Sequence, residues 1–181
     1  MSEQTNSKIA NSDILKVELS AEPALVIRDV VKTFKLGKVM SYAYKKIFDH
    51  IILKTGECKA HNIPFCIYNQ LDWSEMNKTG LFATFKLLFL KDWHLEIGIP
   101  TESSVPAFED MIQTELPAGR FLKTMHIGPY MKVGAAYNRI LEYANTNTLE
   151  LGDFSIERYL NDPKNVAQQE LQTEVLVPIK G

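Results

Sequence analysis

Glu157 stands in the run Phe154-Ser155-Ile156-Glu157-Arg158-Tyr159-Leu160, where apolar and polar residues alternate. In a strand this sends Phe154, Ile156 and Leu160 to one face and Ser155, Glu157 and Tyr159 to the other. With the apolar set against the helices, Glu157 is expected on the opposite face, bordering a cleft. A carboxylate among aromatic rings suits an organic cation, because it offers a full charge in a low-dielectric pocket while ring faces attract a delocalised positive group. The same carboxylate could orient or deprotonate a water, helped by burial that raises its pKa, with Tyr130 or Tyr68 donating to a leaving oxygen. A third reading has Glu157 paired with Arg158, Arg120 or a lysine on a solvated face.

Phe65-Cys66-Ile67-Tyr68 repeats the F-x-I-x pattern of Phe154-Ser155-Ile156-Glu157 and sets Tyr68 in the place matching Glu157, with Cys66 and Gln70 beside it. Tyr159 shares the face of Glu157, where its hydroxyl could orient the carboxylate or a ligand, or sit at the rim. Tyr130 opens a helix and could turn its ring to the cleft or to the core. Alternation in Trp93 to Ile99 sends Trp93, Leu95, Ile97 and Ile99 to the helix-side core and puts His94 and Glu96 on the face of Glu157, as a second acid or as solvated edge residues. Trp73, in an inserted loop, is then the better lid. The histidines His50, His61, His94 and His126 have no metal-ligand spacing, and no phosphate loop, nucleophile elbow or dinucleotide fingerprint occurs, so neither a metal nor a cofactor is expected.

These residues need strands and helices in a particular order. Ile14 to Val31 reads as strand broken at Glu22-Pro23, and Leu36 to Lys54 as a helix with Val39, Tyr42, Ala43, Ile47, Ile51 and Ile52 on one face and Gly56 as its stop. Phe65 to Leu71 and Trp93 to Ile99 have strand character, while Leu81 to Leu90 is an apolar run that periodicity does not assign. The order then recurs: Met111 to Ile127 as strand broken at Pro117-Ala118-Gly119, a helix from Tyr130 to Ala144, and strands at Phe154 to Leu160 and Thr173 to Ile179. The chain reads as an α+β domain over residues 13–181, built from two β-α-β-β halves, about 13–104 and 105–181, after a frayed polar tail over residues 1–12.

The chain has 181 residues, 20 basic and 22 acidic, for a net charge of −2, and no dense Lys/Arg run. Direct DNA binding is therefore not expected. Cys58 and Cys66 match neither a disulfide framework nor a zinc pattern and read as buried thiols. With no signal peptide and no run of the roughly 18 apolar residues a membrane span needs, a cytoplasmic protein, monomer or homodimer, is expected.

Four motifs lie in the second half: Gly128-Pro129-Tyr130 after a strand, a helix bearing Tyr137 and Tyr143, E-x-Y-x-N-D-P from Glu157 to Pro163, and T-E-x-x-x-P-I from Thr173 to Ile179. In this order they resemble the GyrI-like small-molecule-binding family, which includes the effector-binding domains of BmrR- and Rob-type multidrug-responsive regulators. The resemblance implies an antiparallel sheet with pseudo-twofold symmetry, two long helices on one face and a ligand cleft. It also implies a hydrophobic, cationic or electrophilic ligand near a buried acid; with the strand reading above, the candidate lining is Glu157, Tyr68, Tyr159, Tyr130, Trp73 and Glu96. Members of the family bind lipophilic cations, and others hydrolyse cyclopropane-type genotoxins, for which Glu157 and Tyr130 would be catalytic. A gyrase-modulating protein contact is a further alternative. The first half departs from the pattern, with no G-P-Y before its helix and an insertion at residues 73–92. No helix-turn-helix is expected before the first strand, so a regulatory output would need a partner protein.

Overall fold

The computed structural model describes residues 14–56, 62–76, 91–101 and 105–181. Strands β1 (Leu15–Leu19) and β2 (Glu22–Lys32) lead into helix α1 (Leu36–Thr55) and strand β3 (Phe65–Asn69). The short helix α2 (Trp73–Met76) and strand β4 (Asp92–Pro100) follow. The second half runs β5 (Met111–Leu116), β6 (Gly119–Ile127), helix α3 (Gly134–Thr146), β7 (Ser155–Tyr159) and β8 (Gln172–Pro178). The expected runs at Leu81 to Leu90 and over residues 1–12, with Cys58 and His61, lie outside the described residues.

All eight strands form one antiparallel sheet in the order β1-β6-β8-β7-β3-β4-β2-β5. The units β2-α1-β3-β4 and β6-α3-β7-β8 meet where β3 pairs with β7, in the register Cys66 to Glu157, Ile67 to Ile156 and Tyr68 to Ser155. A twofold through the Ile67–Ile156 pair exchanges Cys66 with Ser155 and Tyr68 with Glu157, as the F-x-I alignment requires. Each half also lends its leading strand to the other: β1 pairs with β6 and β5 with β2.

The sheet is curled and covered on both faces. One face closes on itself around Val26, Phe65, Ile67, Phe121, Ile156 and Leu176, with no helical residue in that core among the described residues. The other carries both long helices: α1 buries Ala43, Ile47 and Ile51 against Leu95, Ile97 and Ile99, and α3 buries Ala136, Ile140 and Ala144 against Leu122, Val175 and Val177. Trp93 packs on the helix side as alternation requires. Tyr42 and Ile52, expected on the buried stripe of α1, are 65% and 47% exposed, because the stripe runs instead through Met40, Tyr44 and Phe48. Gly56 ends α1 in the left-handed region, at φ 83°, and donates its N–H to the Ile52 carbonyl at 2.8 Å.

Closure of the inner face depends on Gly98. A Cβ there would lie 2.6 Å from both Phe65 Cζ and Val26 Cγ1 and 2.8 Å from the Leu25 carbonyl oxygen. Gly98→Ala is expected to cost about 1–3 kcal/mol of stability through this overpacking, read as a lower urea midpoint at unchanged slope.

Candidate functional site

Because both faces of β7 are buried, alternation alone does not say which row meets the helices. Ile156 belongs to the inner core, and Glu157, flanked by Cys66 and Val175, lies on the helix side between α1 and α3. This reverses the expectation that the apolar row packs on the helices with Glu157 on the opposite face. Glu157 is 5% exposed. Arg158, one residue on, points to the inner side and lies 3.6 Å from Glu22 and 3.7 Å from Glu174 instead.

Two phenols hold the carboxylate. Tyr137 of α3 donates to Glu157 Oε1 at 2.8 Å, and Tyr159 donates to Oε2 at 2.8 Å. Ser155 Oγ lies 2.8 Å from the Tyr137 hydroxyl, so with Tyr137 donating to Glu157 the serine donates in turn. The Tyr68 hydroxyl lies 3.4 Å from that of Tyr159 and 3.9 Å from Met40 Sδ. No salt bridge to Glu157 exists among the described residues.

Aromatic rings enclose this network. Tyr130 and Tyr44 meet Tyr159 edge to face at 5.4 and 6.1 Å, and Trp93 meets Tyr68 the same way at 5.6 Å. Tyr44 is fixed by donating to the Phe65 carbonyl at 2.9 Å. Tyr130 is placed by the G-P-Y turn, in which Gly128 has φ 127° and donates its N–H to the Leu171 carbonyl, while His126 Nε2 lies 3.0 Å from the Pro129 carbonyl oxygen. Trp73 is not an open lid. It begins α2, donates its indole N–H to the Gly152 carbonyl, and stands 6.3 Å from Tyr137 as a packed wall.

Burial pushes the Glu157 carboxyl above the usual carboxylate range, and the hydrogen bonds from Tyr137 and Tyr159 oppose that rise without cancelling it. The hydroxyls of Tyr44, Tyr68, Tyr137 and Tyr159 are pushed well above the ordinary phenol value by burial, with the Glu157 charge adding to the rise in each. Tyr130 is raised by burial, then by Asp162 and Glu157. The site is thus a single acid held by neutral phenol donors. Tyr159→Phe removes one of the two opposing hydrogen bonds and is expected to raise the Glu157 pKa further, read by carboxyl 13C chemical shift against pH.

Tyr68, Tyr130, Tyr159, Trp73 and Glu157 come together. Glu96 does not: it sits in the row of Ile67 and Ile156, on the inner side, where Arg28 and Asn69 each reach it at 3.2 Å. His94 shares that side. Both border an open cavity of about 710 Å³ with Arg28, Asn69 and Asp153, separate from Glu157. The error follows from the first one: Cys66 and Ile97 share the row of Glu157, so the neighbours of Ile97 belong to the other face. Tyr44 had no place in the sequence reading, and Tyr137 entered only as a motif residue. The available signal was a tyrosine on each buried helical stripe, since a buried phenol needs a polar partner.

Among the described residues no three His, Cys, Asp or Glu side chains gather as a metal site, and no helix is long and apolar enough to cross a membrane.

A curled antiparallel sheet with two long helices on one face and a buried acid beneath them defines the architecture of the domain. The sequence pattern of the GyrI-like small molecule binding domain matches residues 89–180, about half of the chain, and the protein belongs to that family of small-molecule-binding domains. Among solved structures, a hydrolase from Listeria innocua is similar at a TM-score of 0.63 and 12% identity, over 94% of this chain and 93% of that one. The EcmrR C-terminal domain is similar at 0.63 and 18% identity, over 93% and 97%. SAV2435 bound to tetraphenylphosphonium is similar at 0.59 and 12% identity, over 93% and 94%. No curated protein sequence matches the chain.

Proposed function

We propose that the domain binds a hydrophobic organic cation between α1 and α3, with Glu157 as its counter-charge and Tyr68, Tyr130, Tyr159 and Trp73 as the surrounding surface. The observation that carries this reading is a buried carboxylate held by two tyrosine hydroxyls beside further aromatic rings, with no cationic side chain paired with it among the described residues. Leaving such a charge unpaired is costly, and a bound cation offsets that cost while the ring faces add attraction. The tetraphenylphosphonium bound by SAV2435 supports the choice of ligand class. Titration with tetraphenylphosphonium, followed by Trp fluorescence since Trp73 and Trp93 border the site, tests it. Equal affinity in wild type and Glu157→Gln removes the reading.

A second reading, hydrolysis of strained electrophiles, is favoured by the raised Glu157 pKa, which makes the carboxylate a stronger base once ionised. Glu157 would take a proton from water as its oxygen attacks a cyclopropane carbon, the strained C–C bond would break with its electron pair passing to a conjugated carbonyl oxygen of the substrate, and Tyr130 would protonate that oxygen. Incubation with a cyclopropane-bearing electrophile and mass spectrometry for the water adduct distinguishes the two, and turnover no faster than in buffer rejects hydrolysis of that compound.

A further inference from the structure

The T-E-x-x-x-P-I motif begins with a residue that cation binding alone does not use. Thr173 is 0% exposed, and its hydroxyl has no hydrogen-bond partner among the described residues. It lies on the helix side of β8 with Val175 and Val177, paired on one side with Tyr159 and on the other with His126. Valine fills the next two places on that face, and the strand asks no more than a β-branched side chain at the first. A hydroxyl there instead carries the cost of a buried group that bonds to nothing among the described residues.

Its place in the sheet relates it to the acid. Val175 is directly opposite Glu157, so Thr173 is the diagonal neighbour, roughly 7 Å away by sheet geometry. Tyr159, directly opposite Thr173 on β7, donates to Glu157 and packs on Tyr130. Arg139 Nε is also buried without a partner, but its guanidinium is engaged through Nη2 with the Met125 carbonyl at 2.8 Å. Thr173 has a single polar group and no such bond.

We infer that the Thr173 hydroxyl is a second, uncharged polar station of the Glu157 site, selecting aromatic cations that also carry a neutral hydrogen-bonding group on the side turned toward β8. This rests on the cation reading of Glu157. A hydroxyl both donates and accepts, so the station takes an amine or a carbonyl, and it rewards a ligand only when the unmade bond is formed.

Two probes separate the stations: tetraphenylphosphonium, which has no hydrogen-bonding group, and ethidium, an aromatic cation with amino groups on its rim. Thr173→Val is expected to weaken ethidium by about tenfold while changing tetraphenylphosphonium by less than about twofold, and Thr173→Ser to hold ethidium within about twofold of wild type. Thr173→Val is also expected to melt no lower than wild type, because it removes an unsatisfied hydroxyl at constant volume. The inference is overturned by ethidium affinity that is unchanged in Thr173→Val, by equal losses for both probes, by wild type that binds tetraphenylphosphonium and not ethidium, or by a clear drop in melting temperature. Loss of the parent reading looks different: tetraphenylphosphonium then fails to bind wild type or binds Glu157→Gln equally well.

Discussion

Glu157→Gln is expected to weaken tetraphenylphosphonium binding by about 100-fold and, in the absence of ligand, to raise the melting temperature at neutral pH. The first effect is the loss of one partner from a desolvated charge pair, which is worth about 2–5 kcal/mol. The second follows from the burial that holds the carboxyl above its unfolded pKa. Between the ordinary carboxylate value and the raised one, the folded state binds more protons than the unfolded state, so stability falls as pH rises through that interval. The contribution of Glu157 is best preserved below the unfolded pKa and is lost as pH climbs through the folded one. Glutamine does not ionise. Its carbonyl accepts from Tyr137, and its amide donates to Tyr159, whose proton is then free to turn elsewhere. The difference in melting temperature between variant and wild type should therefore be small in acid, grow with pH and level off above the folded pKa. A variant that melts lower than wild type at neutral pH contradicts the argument.

Cation binding should also expel a proton. Below the raised pKa of Glu157 the free site is protonated, while the complex needs the carboxylate, so the apparent affinity for tetraphenylphosphonium is expected to fall about tenfold for each pH unit below that value. Over two units this reaches about 100-fold, as large as the effect of the substitution. Above the folded pKa the affinity is flat. Calorimetry in buffers of different ionisation enthalpy reads the same event directly: one proton released per cation well below the pKa, and none well above it. The phenols do not compete for this role, since all are raised and stay protonated across the range. Proton release that persists in Glu157→Gln would assign the titrating group elsewhere.

The repeat was legible because F-x-I carried the register as well as the residues. Aligning Phe65 with Phe154 predicts the Tyr68–Glu157 equivalence, and the pairing of β3 with β7 is symmetric about Ile67 and Ile156. The wrong face for Glu157 arose from treating apolar residues as markers of the helix side. Alternation distinguishes two faces, but a curled sheet buries both: Phe65 and Ile67 face the inner core, while Cys66 and Tyr68 face α1. Nothing in a five-residue central strand says which is which. Glu96 went astray by the same step, since its row is shared with Ile67. Tyr137 and Tyr44 come from two helices far apart in sequence, and only the pairing of β3 with β7 brings them to one carboxylate. Their convergence is a property of topology, which local spacing does not encode.

The exchange of β1 and β5 between the halves bears on how the protein reaches its native state. Leu15 pairs with Lys123, and Glu22 with Leu116, so β1 and the outer edge of β2 depend on the second half for their partners, while β2 pairs along its other edge with β4 of its own half. Neither half can close its sheet first and dock afterwards as a finished unit. Such non-local pairing slows folding, and it ties the edges of the sheet to the completion of its centre. The seam between β3 and β7, where Glu157 sits, joins the two halves just as these two outer pairings do. Because both halves contribute to the seam, any ligand that binds there to the folded protein and not to the unfolded chain draws the equilibrium toward the complete sheet.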